Sequence, residues 1–188
     1  LQRLEASGTR VVNRPRALEA AIDKYLCAAR MEAAGLPVPE TFVCEKAGPA
    51  LEAFEKMGGD AVVKPIFGSE GRGIAHLTSL AEARTRLSEL EAAGSVICLQ
   101  RFVHHPGHDY RLFTLGEKVL CGMRRVAREE GEGGWITNIA RGGRAERLEI
   151  TPELASLALR AARSIDAEVA GVDILPDRDG RLWLLEVN

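Results

Sequence analysis

The chain has 188 residues, 46% of them apolar, 28% charged and 5% aromatic, and its 25 cations and 27 anions leave a formal net charge of −2. A chain of this size can bury roughly 70% of the surface its unfolded form exposes, so it can fold without disulfides or a structural metal. No apolar run approaches the ~20 residues of a membrane span, no secretory leader opens the sequence, and near-zero charge argues against a general nucleic-acid binder.

Asn13 followed by Pro15 predicts a helix start, and Leu18, Ala21, Ile22, Tyr25 and Leu26 continue at helical spacing until Gly35. Pro37 and Pro39 lead into a short strand at Thr41–Cys44, and Pro49 starts a helix with Leu51, Phe54 and Met57 on one face. A buried-strand pattern spans Ala61–Ile66, a glycine-rich segment covers Gly68–Gly73, and another strand runs Ile74–Leu77. Ser79 and Glu82 have capping-box spacing for a third helix that ends at Gly94. An apolar strand at Val96–Phe102 and a loop at His104–His108 precede two strands, Tyr110–Leu115 and Val119–Met123, joined at Gly116-Glu117 as a hairpin. The polar, glycine-rich stretch from Arg128 to Gly143 is too long for a simple turn and reads as a functional loop. Thr151-Pro152 caps a fourth helix running to about Asp166, and two strands, Val169–Leu175 and Leu182–Val187, close the chain. Helices mix with mostly antiparallel hairpins, which makes the class α+β, or α/β in looser usage. The expected division is 1–12 as the end of a preceding domain, 13–99 as one subdomain carrying the glycine loop, and 100–188 as a second.

Cys27, Cys44, Cys98 and Cys121 are widely spaced without a Cys-x-x-Cys pair, as expected of reduced thiols in a cytoplasmic protein. The cations divide into twenty arginines and five lysines, so a lysine inside a motif is less readily explained as generic surface charge. The chain starts at Leu1 without an initiator Met and stops at Asn188 within a strand pattern, as expected of a piece of a longer protein.

Three features carry chemistry. Asp179-Gly180 predicts a two-residue hairpin turn, which sets Arg178 opposite Arg181 and, counting outward, Asp173 opposite Glu186. Period two then puts Glu186 and Asn188 on one face, with Trp183, Leu185 and Val187 on the other. Two facing carboxylates repel, and either a hard cation such as Mg²⁺ or Mn²⁺ relieves them or the face is solvated; the pattern accommodates both. Lys64 interrupts an apolar strand just before the glycine loop, where an anion would offset its cost, and the loop can offer backbone N–H groups to polyphosphate or serve as an ordinary hairpin connection. Of Arg111, Arg124, Arg125 and Arg141, with Asn138, the arginines assigned to developing phosphoryl charge are Arg125 and Arg141. A single Arg141-Gly142-Gly143 does not make an RNA-binding repeat, and His104, His105 and His108 read as solvated loop histidines rather than zinc ligands.

In this order the features resemble the ATP-grasp ligases, in particular the RimK-type α-L-glutamate ligase family. The carriers are Asp23-Lys24 ahead of Gly35-Leu36-Pro37-Val38-Pro39, Lys64-Pro65 to Gly73, Gln100-Arg101-Phe102 and Asp109-Tyr110-Arg111, then Thr137-Asn138 to Gly143, Gly171-Val172-Asp173 and Glu186-Val187-Asn188. The resemblance implies a fold of two α+β subdomains gripping ATP. Lys24 and Lys64 would contact phosphates, and Gly68, Ser69, Gly71 and Gly73 would cover them. Gln100 and the backbone of Arg101 and Phe102 would hold adenine, and Asp109 would lie near the ribose. Asp173, Glu186 and Asn188 match metal ligands, with Glu186 bridging two Mg²⁺ or Mn²⁺ ions, while Arg125, Asn138 and Arg141 match positions near the γ-phosphate. The implied reaction is amide formation through an acyl phosphate, adding L-glutamate to a pterin-type cofactor or a protein C-terminus. The alternative is a nucleotide-binding regulatory domain without turnover. Nucleic acid and membrane are not expected partners, and a homo-oligomer is left open. Arg101 stands where that family commonly has an acidic residue, and Ile136 where it commonly has arginine.

Overall fold

The computed structural model describes residues 1–68, 73–127, 135–137 and 142–188. By packing, the chain divides into two compact units, one formed by Pro39–His104 and the other by Leu1–Val38 with His105–Asn188. The division falls at 38/39 and 104/105 rather than at 99/100, because the helices before residue 38 bury their apolar side chains with the C-terminal strands.

In the 39–104 unit, β1 (Thr41–Cys44), β2 (Ala61–Lys64), β3 (Ala75–Leu77) and β4 (Ile97–Arg101) form an antiparallel sheet in the order β1-β4-β2-β3. Helices α4 (Ala47–Lys56) and α5 (Leu80–Ala92) cover it. Phe54, Val63, Leu87, Ile97 and Leu99 are fully buried between them; each such side chain contributes about 1.5–3 kcal/mol on leaving water. The predicted cap is present: Ser79 Oγ accepts the Glu82 N–H at 3.3 Å, while Glu82 Oε2 reaches back to Thr78 N at 3.5 Å.

The other unit holds the five-stranded antiparallel sheet β7-β6-β5-β8-β9, made of β5 (His108–Leu115), β6 (Lys118–Val126), β7 (Arg144–Arg147), β8 (Val169–Pro176) and β9 (Leu182–Val187). Strand β7 had no signal in its sequence, Arg-Ala-Glu-Arg, which lacks alternation; it exists because β6 offers it a free edge, Arg125 pairing with Ala145. The Gly116-Glu117 turn is as expected, with Leu115 facing Lys118. Helices α2 (Pro15–Ile22), α3 (Lys24–Ala33) and α6 (Pro152–Ser164) pack together and against the sheet. Leu112, Val172, Ile174, Leu184 and Val187 point at them, with zero exposure. By the period of two, Arg111 and Asp173 then belong to the opposite face.

The single predicted N-terminal helix is two helices. Asp23 is extended and caps α3, accepting Leu26 N–H at 2.9 Å, so the run breaks there, and Ile22 and Tyr25 are exposed rather than in the core. Asn13 does not cap α2 either. Its Oδ1 accepts the N–H groups of Glu168 and Val169 at 2.8 Å each and its Nδ2 donates to Val169 O at 2.6 Å, tying the N-terminal segment to the start of β8. Cys27 and Cys98 are buried and Cys121 is exposed, all four cysteines being unbridged. No helix among the described residues is long and apolar enough to cross a membrane.

Candidate functional site

The C-terminal hairpin places Asp173 opposite Glu186, as expected, by a different route. The turn has three residues, Arg178 to Gly180, closed by Asp177 N to Arg181 O at 2.9 Å, with Gly180 supplying the positive φ of +83°. That shifts the inner register so that Ile174 faces Leu184, and a bulge before Glu186 shifts it back. The bulge also corrects the expected faces: Leu184 and Val187 enter the core, whereas Trp183 and Leu185 are only half-buried. Trp183 instead donates from Nε1 to Asp177 at 3.0 Å beneath the Arg181 guanidinium. Asn188 Nδ2 donates to Glu186 Oε1 at 2.9 Å, leaving its amide oxygen as a donor for an ion.

Asp173 is 4% exposed and lies among cations. Arg111, directly across the β5–β8 ladder, grips it with Nε to Oδ1 at 2.6 Å and Nη2 to Oδ2 at 2.9 Å, and Arg125 Nη2 reaches Oδ2 at 3.0 Å. Arg125 is itself buried and forked onto Asp109, Nε to Oδ1 at 2.7 Å and Nη2 to Oδ2 at 2.5 Å. Burial raises the Asp173 pKa to about 7 against the pull of Arg125 and Arg111, with Glu186 and Asp109 adding to the rise. Burial alone would lower the Arg125 pKa, but Asp109 and Asp173 outweigh it and raise it. Oδ1 of Asp173 carries one guanidinium bond and keeps a lone pair. Among the described residues no three of His, Cys, Asp and Glu are arranged to hold an ion; the set here is two carboxylates and an amide, which suits a hard cation whose shell is completed by phosphate oxygens.

Arg111 was a candidate in the sequence but was passed over for Arg125 and Arg141; in the structure it holds Asp173. Its signal, a charge opposite Asp173, depends on β5 pairing with β8, some sixty residues on. Asp109, expected near a ribose, is 1% exposed, and both oxygens are engaged by Arg125, with Thr137 Oγ1 adding a bond to Oδ2 at 2.7 Å. Lys24 is the first residue of α3, next to the capping Asp23. Asn138 and Arg141 lie outside the described residues.

Apart from Lys24, the expected phosphate and adenine residues belong to the 39–104 unit. Lys64, the last residue of β2, donates from Nζ to Gln100 Oε1 at 2.6 Å, and Gln100, 6% exposed, donates on to Thr41 Oγ1 at 2.9 Å. Thr41 in turn donates to Pro39 O at 2.8 Å. Gln100 therefore orients the ammonium from a buried position. The amides of Arg101 and Phe102 are spent within the unit, on Glu40 O at 2.9 Å and Asp60 O at 3.1 Å. Arg101, where an acidic side chain was the family expectation, is neutralised by Glu40 and donates to Met57 O. Ser69 and Gly71 lie outside the described residues; Gly68 and Gly73 flank them.

Gly73 has φ +73°, and a Cβ there would stand 2.9 Å from Pro65 Cγ. Gly73→Ala is expected to cost about 1–2 kcal/mol for the left-handed backbone and more for the contact with a rigid ring. Urea unfolding checks it, and an unchanged midpoint would refute the strain.

The histidines are not simply solvated. His104 pairs with Asp60 Oδ2 at 2.8 Å, and His76 holds the other oxygen at 2.6 Å with its ring stacked 3.8 Å from Phe102. His108 belongs to β5 and is buried, taking Arg124 Nη2 on Nδ1 at 3.1 Å; burial first, and then Arg124, lower its pKa. Burial lowers the His105 pKa too.

Residues 21–188 match the RimK-like ATP-grasp domain. The tetrahydromethanopterin:alpha-L-glutamate ligase of Methanosarcina acetivorans is 34% identical over 186 residues, covering 93% of this chain and 56% of that protein. The glutamate–LysW ligase ArgX of Sulfurisphaera tokodaii is 28% identical, covering 98% and 66%. The chain thus spans 56 to 61% of the length of the three tetrahydromethanopterin ligases it matches. Among solved structures, the ATP-grasp ligase PsnB complexed with minimal precursor superposes with a TM-score of 0.76 at 28% identity, covering 100% of this chain and 58% of that one. The D-alanine–D-alanine ligase of Bacillus anthracis, at 18% identity and TM-score 0.77, shares the fold. With antiparallel sheets in both units, and with the domain match running through the lysine strand, the arginine-held aspartate and the closing hairpin, the chain belongs to the RimK-like ATP-grasp family.

Proposed function

We propose that the chain is the catalytic part of an ATP-dependent carboxylate–amine ligase that joins L-glutamate or a similar amino acid to an acceptor carboxylate. The observation that carries this reading is the facing Asp173 and Glu186 pair beside Asn188, with Arg111 and Arg125 on Asp173. Asp173, Glu186 and Asn188 would hold Mg²⁺ or Mn²⁺, which supplies charge neutralisation at the γ-phosphate. Lys64, aimed by Gln100, and Lys24 would bind phosphate oxygens, with Gly68, Gly73 and the intervening Ser69 and Gly71 against them. Arg125, Asn138 and Arg141 would stabilise negative charge on the transferring group. In the reaction, an acceptor carboxylate oxygen bonds the γ-phosphorus as the bond to ADP breaks. The amine nitrogen then bonds the acyl carbon, phosphate leaves and the nitrogen gives up a proton.

The acceptor is read from its relatives: a pterin-type cofactor, as the name of the Methanosarcina acetivorans ligase has it, or a protein C-terminal carboxylate, the Sulfurisphaera tokodaii ligase being named for LysW. Cysteines that form no disulfide fit a reducing cytoplasm. The test is ADP release by the full-length protein with glutamate and a panel of both acceptor kinds. Acceptor-dependent ADP supports the ligase, whereas Mg-ATP binding without it leaves a nucleotide-binding domain that does not turn over.

Metal affinity should depend on pH. Asp173 holds its proton up to about 7 and must lose it to bind a cation, so affinity falls as pH drops through 7, by about tenfold per unit. Calorimetry with Mn²⁺ at several pH values checks this. A flat profile from pH 5.5 to 8 would remove Asp173 from the ligand set.

A further inference from the structure

Between β6 and β7, residues 135–137 are described, and they are tied down twice. The backbone of Trp135 hydrogen-bonds the His105 imidazole. Thr137, 8% exposed, donates from Oγ1 to Asp109 Oδ2 at 2.7 Å. That oxygen also accepts from Arg125 Nη2, and the same Nη2 stands 3.0 Å from Asp173 Oδ2. A continuous chain of charge-assisted bonds therefore runs Thr137, Asp109, Arg125, Asp173, and all four residues are buried.

A buried carboxylate needs donors to stay ionised and fixed. Among the described residues Asp109 has three: two guanidinium N–H groups and the Thr137 hydroxyl. The hydroxyl is the only one of the three that comes from outside the β5–β6 ladder. Without it Asp109 can turn about its side-chain bonds, and Arg125 turns with it, moving the cation that faces Asp173. The link thus sets how the cation meets Asp173.

We propose that Thr137 is a positioning residue, acting through Asp109 and Arg125 on the orientation of Asp173, and that Asp109 serves Arg125 rather than a nucleotide sugar. The proposal rests on the reading of Asp173 as a metal ligand given above. Partners that orient metal ligands typically carry 10–100-fold in metal affinity.

The experiment uses full-length protein with Trp183→Phe as background, so that Trp135 is the remaining tryptophan in this chain, and any tryptophan in the flanking regions is likewise replaced by Phe. Mn²⁺ binding in the presence of ADP and Trp135 emission are measured for Thr137→Val and Thr137→Ser. Thr137→Val is expected to bind Mn²⁺ about tenfold more weakly and to shift Trp135 emission, while Thr137→Ser stays within about twofold of the parent because it keeps the hydroxyl. Should Thr137→Val not fold, Thr137→Ala carries the same comparison. Unchanged Mn²⁺ affinity in a folded variant that lacks the hydroxyl overturns the proposal. If the parent itself binds no Mn²⁺, the metal assignment fails. Trp135 emission then judges the link alone, and an emission indifferent to loss of the hydroxyl overturns it.

Discussion

Glu186→Gln is expected to lower acceptor-dependent ADP release by on the order of a thousandfold, the scale of losing one preorganised charge-stabilising group, while the protein unfolds at an unchanged urea concentration. The side chain is half-buried at the end of β9, paired across the sheet with Asp173. Gln keeps Oε1 as the acceptor for Asn188 Nδ2, so the local bond survives. The change removes a negative charge that helps to raise the Asp173 pKa, and this favours the fold slightly if it acts on it at all. What is lost is a hard anionic donor for the cation. Full activity in Glu186→Gln would refute the metal assignment, and a large loss of stability would mean that Glu186 is structural.

Arg125→Met carries the largest stability effect. It leaves Asp109 and Asp173, 1% and 4% exposed, without the cation they share. Removing one partner of such a buried pair costs about 3–5 kcal/mol, a large share of the roughly 5–15 kcal/mol that holds a domain folded. Arg111→Met should cost less, because Asp173 keeps Arg125 and the Arg111 side chain is already 32% exposed. The pH dependence has a sign. The Asp173 carboxyl ionises near its ordinary value of 3.8 when unfolded and near 7 when folded, so across that window the folded protein binds more protons and this residue's contribution falls as pH rises. Losing Arg125 raises the folded carboxyl further, so parent and variant fall alike up to about pH 7 and the variant goes on falling above it: the Arg125→Met penalty should be smallest near pH 4 and largest above pH 7. Urea unfolding near pH 4 and well above pH 7 checks it. A penalty independent of pH would mean that the loss is of packing alone. Arg125→Lys should recover only part of the stability, because an ammonium cannot fork onto two carboxylates as a planar guanidinium does.

The Asp173–Glu186 pair was legible in the sequence, although the hairpin reaches it through two compensating shifts. The turn has one residue more than Asp179-Gly180 implied, and a bulge absorbs it before the pair is reached. The helix breaking at Asp23 was also within reach, since aspartate three residues before Leu26 is a capping pattern; an apolar periodicity running through it concealed the break. The phosphate lysine was readable from its place in an apolar strand, but Gln100 as its orienting partner was not, because Lys64 and Gln100 meet only through the β2–β4 pairing.

Local signals sufficed where the physics is local: the caps at Ser79 and Thr151, the Gly116-Glu117 turn, the strand runs that hold Leu112 and Val172, and the order of motifs that marks the family. Tertiary structure alone decided which arginine meets which carboxylate. In a chain with twenty arginines each has the same sequence-level claim, and the choice of Arg111 and Arg125 comes from strands paired in register, with Asp109 and Asp173 carried on neighbouring strands into a site too dry to leave either unpaired. Charge pairing across a sheet depends on register and burial, and neither is set by the residues adjacent in sequence.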